Sequence, residues 1–152
     1  LEALQQNLGA VPNMYRTFAH APAVLDASVA MAQAIRRDLA PKLRELAYLK
    51  VVQLTGCEVC GHYHRRIAAS VGVTEAQMAA IEVPADGGEY TSQERDVLAF
   101  AEQWTLAGRV DEAVIDRLKK SLSAAELVLL AATVSQANWT CRFNNVFGVE
   151  LP

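Results

Sequence analysis

The chain announces the start of a helix three times in the same way. In Thr74–Gln77, Thr91–Glu94 and Ser123–Glu126 a hydroxyl residue stands three positions ahead of a Gln or Glu. At that spacing the hydroxyl accepts from the later backbone amide while the longer side chain reaches back to the first one. Apolar residues follow at helical intervals, and no stretch alternates apolar and polar residues as a half-buried strand would. An all-α fold, a compact helical bundle, is the expectation.

Weaker signals supply the other helices. Asn13 is expected to cap a short helix carrying Met14, Tyr15, Phe18 and Ala19, within an N-terminal packing arm, residues 1–21, broken at Gly9 and Pro12. Pro22 suits the first position of a second helix, whose apolar Val24, Leu25, Val29, Ala32 and Ile35 recur until Arg36, Arg37 and Asp38. Pro41 opens a third helix through Leu54, closed by Gly56. The next helix begins almost at once and runs to Gly72, so the two should form a tight hairpin. The box at Thr74 predicts a helix ending near Ile81, and those at Thr91 and Ser123 predict helices to about Ala107 and Asn144. A shorter helix is expected over Glu112–Leu122. The loop-rich PADGGEY, Pro84–Tyr90, is too short for a domain linker, so residues 1–152 read as one domain.

Composition narrows the partners. A hydrophobic content of 52% with only 7% aromatics suits tightly packed helices with apolar surface left for a homo-oligomer. The net charge of −3 comes with no basic block to follow a phosphate backbone, so nucleic acid is not an expected partner. The longest mainly apolar run, 127–134, falls far short of the ~20 residues of a membrane span, and no membrane partner is expected. No charged-then-apolar signal segment opens the sequence, which begins at Leu1. Three cysteines, two of them in CxxC, suit a reducing cytoplasm better than a disulfide framework.

From Glu45 to His64 the chain reads ELAYLKVVQLTGCEVCGHYH. Cys57, Cys60 and His64 stand at i, i+3 and i+7, a single helical face, with the CxxC at the start of the helix that follows the hairpin turn. Glu45 lies ten residues before Thr55 and His64 seven after Cys57. At 1.5 Å rise they sit roughly 15 and 10 Å from the turn, comparable depths in an antiparallel hairpin. Pro41, Tyr48, Leu49 and Val52 flank Glu45 at helical spacing, which predicts a buried carboxylate with His64 as its partner rather than a surface glutamate beside Lys42.

Thiol chemistry requires a thiolate, and a free cysteine of pKa ~8.5 is mostly protonated at neutral pH. The positive end of the helix dipole favours ionisation of Cys57 and Cys60, His64 can receive the proton directly or through a water, and Glu45 can orient the imidazole. Attack on a peroxide oxygen leaves a sulfenic acid, which the second cysteine condenses with to give an internal disulfide. A thiol or protein reductant must then reopen it. Zinc is the weaker reading: a structural CxxC usually brings a second ligand pair from elsewhere, and only Cys141 and scattered His remain. No metal or cofactor is expected. A CxxC that is structural or serves partner docking is a further alternative.

Other residues read more plainly. Cys141, beside Trp139 and Phe143, looks like a small buried hydrophobe rather than a third redox thiol. Trp104, Trp139, Met14, Met31 and Met78 fit helix-face packing. His20 reads as a loop residue and His62 as solvent-facing or interfacial. Arg142, Asn144 and Asn145 stay open between capping helices and lining a pocket.

Together, Glu45, Cys57, Cys60 and His64 resemble the signature of the alkylhydroperoxidase D-like members of the carboxymuconolactone decarboxylase superfamily: a Glu, twelve residues to a CxxC, and a His four after its second Cys. The resemblance extends to the PNMYRTFAHAP opening, the GVT after the motif and the late ANWTCRFNN, nearly the whole chain. It implies an all-helical bundle assembling into trimers or hexamers, whose cysteines reduce hydroperoxides or pass electrons to a separate peroxidase. Val59 departs from the pattern, standing where better-studied members carry a His just before the second Cys, which puts a relay through that position in question. Cys60 is the expected attacking thiol, one turn from His64 and in line with the resemblance, and Cys57 the resolving one. The order in thioredoxin-like motifs is the opposite. Decarboxylation, the namesake reaction, needs no thiols.

Overall fold

The computed structural model describes residues 11–82 and 88–152, and among these every regular element is a helix. In chain order they are α1 (Asn13–Phe18), α2 (Pro22–Asp38), α3 (Pro41–Thr55), α4 (Glu58–Ser70), α5 (Glu75–Ala80), α6 (Ser92–Ala107), α7 (Glu112–Lys119) and α8 (Ala124–Phe147).

α3 lies at the centre. Every residue from Leu43 to Val52 is buried, and the helix packs on α4, α6 and α8. A helix buried all round has no polar face, so its charged side chains must find partners inside. Lys50 Nζ donates to the Ile81 carbonyl at 3.1 Å and meets Glu102 at 3.1 Å, while Arg44 Nε donates to Glu45 Oε1 at 2.9 Å. At the helix entrance Lys42 pairs with Glu94 at 2.8 Å. The apolar side chains of α3 divide the interior. Leu43, Ala47 and Val51 join Val97 and Phe100 of α6 and Leu130 and Val134 of α8. Leu46 and Leu49 face Ala68, Val73, Ile81 and Leu98.

All three capping boxes form with both arms closed. Gln77 N donates to Thr74 Oγ1 at 3.1 Å, Glu94 N to Thr91 Oγ1 at 3.2 Å and Glu126 N to Ser123 Oγ at 3.2 Å, and each later side chain accepts the cap residue's own amide. Gln77 Nε2 also donates to Glu94 Oε2 at 3.2 Å, joining two of the boxes. Pro22 and Pro41 occupy first turns as expected.

The structure corrects several boundaries. Asn13 does not cap α1: Pro12 holds that position, and Asn13 Nδ2 instead donates to the Glu150 carbonyl at 3.0 Å. The helix expected over Glu112–Leu122 stops at Lys119, and the one expected to end near Asn144 continues to Phe147, since no residue breaks it before Gly148. Met31 and Trp139 are more exposed than packing residues, Trp139 lying against Phe18 and Phe143 on the surface. Residues 1–10 of the expected N-terminal arm and 83–87 of the expected loop lie outside the described residues.

The α3–α4 hairpin turns on two glycines. Gly56 ends α3 in the left-handed region, φ +65°, with its amide donating to the Val52 carbonyl at 2.9 Å. At Gly61 a Cβ would stand 3.3 Å from Val52 Cγ1, so its absence lets α4 close onto α3. A Cβ at Gly56 meets nothing within 4 Å, so Gly56→Ala isolates the backbone cost of the turn. It should destabilise the protein by about 1 kcal/mol, lowering the melting temperature by roughly 2–4 °C in thermal unfolding. An unchanged transition would mean the turn does not constrain the hairpin.

Candidate active site

The hairpin brings Glu45 of α3 against His64 of α4. Glu45 Oε2 lies 2.7 Å from His64 Nδ1, and its other oxygen accepts from Arg44 Nε. At 1% exposure this carboxylate has no access to bulk water. Burial alone would raise its pKa, but the hydrogen bond and charge of His64, then those of Arg44, outweigh that and hold it below the usual range. The pair therefore stabilises the fold above the ordinary glutamate value of ~4.3, a contribution lost as the pH falls through the lowered one.

Tyr48, one turn beyond Glu45, clamps the imidazole from one face, with ring centroids 3.5 Å apart and planes 9° from parallel. Its hydroxyl donates to Thr140 Oγ1 on α8, which itself donates to the Gln136 carbonyl. Burial first, and then the sulfurs of Cys60 and Cys141, push the phenol well above its usual pKa, so it stays a donor. Among the described residues, the paired Nδ1 and the stacked ring leave Nε2 as the free nitrogen of His64.

Cys57 is the N-cap of α4, and its sulfur accepts the Cys60 amide at 3.3 Å. Asn144 Nδ2 reaches from α8 to the sulfurs of Cys60 at 3.3 Å and Cys57 at 3.8 Å. Cys141 joins them: the three sulfurs all lie within 4.8 Å of one another, and all three residues are buried. The hydrogen bond from the Cys141 thiol, then that from Cys60, overcomes burial and lowers the Cys57 pKa to about 3, helped by the Cys60 amide and Asn144. Cys60 goes the other way. The Cys141 thiol favours its ionisation, but its own hydrogen bond to Cys57, burial and the Cys57 charge push it up to about 12. Cys141 is likewise pushed up by the other two sulfurs. These opposite directions favour a single negative charge in the cluster, with Cys57 as its seat.

Cys60 and His64 border a cavity of about 110 Å³, walled by Met14, Tyr15, Tyr48, Val59 and Tyr63 among others. Val59, the position that departs from the family signature, is apolar wall here. Arg36, on α2, also lines the cavity. The four expected site residues thus meet in one place, whereas His62 and His20 are exposed, His20 in the turn after α1. Among the residues left open, Asn144 faces the sulfurs, Asn145 Nδ2 caps the end of α3 by donating to the Thr55 carbonyl at 2.8 Å, and Arg142 bonds Asn138 away from the site.

Sequence reasoning missed Arg44 and Tyr48 as members of the site and left Asn144 open; Cys141 is buried as expected, but beside the other two thiols. Spacing held a signal for three of these: Cys141 and Asn144 are three apart on one face of α8, and Tyr48 is three from Glu45. As metal donors the three thiols have no fourth His or carboxylate in their group among the described residues, short of the four ligands typical of structural zinc.

Residues 22–103 match the model of the carboxymuconolactone decarboxylase family. No curated protein matches the chain by sequence. Similar solved structures include a peroxidase-related protein from Silicibacter sp. TM1040, 20% identical, with TM-score 0.85 over 99% of this chain and 82% of that one. An alkylhydroperoxidase AhpD core protein from Ralstonia eutropha JMP134 is 22% identical, with TM-score 0.83 over 99% and 82%. The debrominase Bmp8 is 22% identical, with TM-score 0.82 over 98% and 82%. At these identities the likeness is one of fold.

The charge on Cys57 can be read directly. Ultraviolet thiolate absorbance of the reduced protein should correspond to one thiolate per chain at neutral pH. It should persist well below the ordinary thiol pKa of ~8.5 and fade only as the pH falls towards about 3. A signal that disappears near ~8.5 would remove the cluster's charge.

Proposed function

The chain belongs to the carboxymuconolactone decarboxylase family, and from that premise we propose that it is a thiol-dependent peroxidase. It reduces organic hydroperoxides through a Cys60/Cys57 dithiol–disulfide cycle, with Glu45 and His64 as the proton relay. The observation that carries this reading is the small aromatic cavity bordered by both Cys60 and His64, with the Cys57 sulfur within 4.8 Å of that of Cys60. Decarboxylation makes no use of a buried thiolate.

In this scheme the hydroperoxide enters the cavity and Nε2 of His64 takes the Cys60 proton, the imidazolium being held by Glu45. The Cys60 sulfur attacks the terminal peroxide oxygen, the O–O bond breaks, and the alkoxide leaves as alcohol with the imidazolium proton. Cys60 is now a sulfenic acid. The Cys57 thiolate attacks its sulfur and the S–O bond breaks. The expelled hydroxide becomes water with the proton that Cys57 gave up on ionising. The sum is one hydroperoxide and two thiols to alcohol, water and a disulfide. The charge on Cys57 favours the reverse order, in which Cys57 attacks. Access favours Cys60, since it is the sulfur on the aromatic cavity.

We place this chemistry in a single domain acting as a cytoplasmic homo-oligomer, a trimer or hexamer. Exposed Val128, Trp139 and Phe147 on α8 support an assembly, and the need for a reductant supports the compartment.

Mass spectrometry after one equivalent of cumene hydroperoxide separates the two orders, in a Cys141→Ala background so that no third thiol captures the product. Cys57→Ser should accumulate a Cys60 sulfenate, and Cys60→Ser should stay reduced. A sulfenate on Cys57 in Cys60→Ser would reverse the assignment, and inert thiols in every variant would end the peroxidase reading.

A further inference from the structure

Helix α4 presents its two cysteines to different sides. Val59, Cys60, Tyr63, His64 and Ile67 border the cavity described above. Cys57, Glu58, Gly61, His62 and Arg65 border a second, open concavity of about 620 Å³, completed by Gln53 and Glu82 among others. The single face expected for Cys57, Cys60 and His64 is thus divided: 57, 61 and 65 recur every fourth residue along one stripe, and 60, 64 and 67 along another. Gly56 adds no side chain to the Cys57 side, and a Cβ there would meet no atom within 4 Å.

The two concavities also differ in chemistry. One is walled mainly by aromatic and aliphatic side chains, with the charged Arg36 as its one arginine among the described residues, and the other by the exposed charges of Glu58, Arg65 and Glu82 and the imidazole of His62. We propose that the second concavity is the reductant's site, where a small thiol bearing both a carboxylate and an ammonium group binds and reopens the Cys57–Cys60 disulfide by attack at Cys57. This rests on the dithiol cycle proposed above and gives its second substrate a separate entrance.

Size and charge fit such a molecule. The volume falls within the ~300–1,000 Å³ of small-molecule sites. Arg65 lies two turns from Cys57, about 12 Å along the axis, and helical side chains lean towards the N-terminus, so a carboxylate on Arg65 leaves a tripeptide-sized thiol able to reach Cys57. Glu58 and Glu82 match the ammonium group. The incoming thiolate attacks the Cys57 sulfur, the Cys57–Cys60 bond breaks, and its electron pair leaves on Cys60 beside the Asn144 amide, where it takes a proton. A second thiol then attacks the reductant's sulfur in the mixed disulfide, releasing Cys57 as thiolate and the reductant as its own disulfide.

Diamide forms the protein disulfide without any peroxide, which makes the reductive half testable alone. Re-reduction is followed with glutathione and with neutral 2-mercaptoethanol in the wild type, Arg65→Glu and Arg66→Glu. Arg66 is exposed on the same helix but off the concavity, and its variant carries the same charge change. Arg65→Glu should slow glutathione about tenfold while leaving 2-mercaptoethanol within about twofold, and Arg66→Glu should slow neither. Tandem mass spectrometry of the acid-quenched mixture should place glutathione on Cys57. Equal slowing of both thiols, the same loss in Arg66→Glu, glutathione on Cys60, or reduction only by a protein dithiol such as thioredoxin would overturn the assignment. Thiols inert to hydroperoxide alongside the expected re-reduction pattern would instead overturn the peroxidase reading and leave the reductant site standing.

Discussion

A carboxylate sealed in the middle of a helical bundle has to be paired, and Glu45 is the charge around which the rest of this molecule is arranged. Its two oxygens are taken by Arg44 and His64. Losing both contacts would leave an uncompensated charge in the interior, a defect of roughly 3–5 kcal/mol in comparable buried pairs. α3 and α4 are therefore held in one register. Close contact at Gly61 and the left-handed turn at Gly56 make that register reachable, and Tyr48 fixes the plane of the imidazole. The fold and the orientation of His64 are one constraint seen from two ends.

The thiols form the complementary half. Three buried sulfurs with one charge among them would be unstable without donors, and the Cys60 amide, the Asn144 amide and two thiol protons supply them. α8 matters because it brings Cys141 and Asn144 to sulfurs that α4 positions. The site is thus a junction of three helices. The paired histidine lies on the aromatic side of α4 with Cys60, and Cys57 borders the charged side. A cycle with two substrates can use both sides.

Much of this was legible in the sequence, for identifiable reasons. Capping boxes and first-turn prolines act locally, so the helix starts they mark are where the structure has them. The depths of Glu45 and His64 follow from helical rise and a short turn, and the pair meets at 2.7 Å. Helix ends were less legible where no glycine or proline stood near, as at Lys119, and Asn13 was read as a cap when the chain's far end claims its amide. Cys141 and Asn144 could not be placed because their contacts with α4 span more than 80 residues of sequence. Spacing says which residues share a face of α8, and only packing says what that face meets.

The central claim is that the buried Glu45–His64 pair drives oxidation of the dithiol. Its most direct test is the rate at which thiols disappear when hydroperoxide is added to the reduced wild type and to Glu45→Gln. The account predicts that both end in the same Cys57–Cys60 disulfide, with Glu45→Gln slower by roughly 10²-fold. Equal rates across the pH range in a folded Glu45→Gln protein would contradict it.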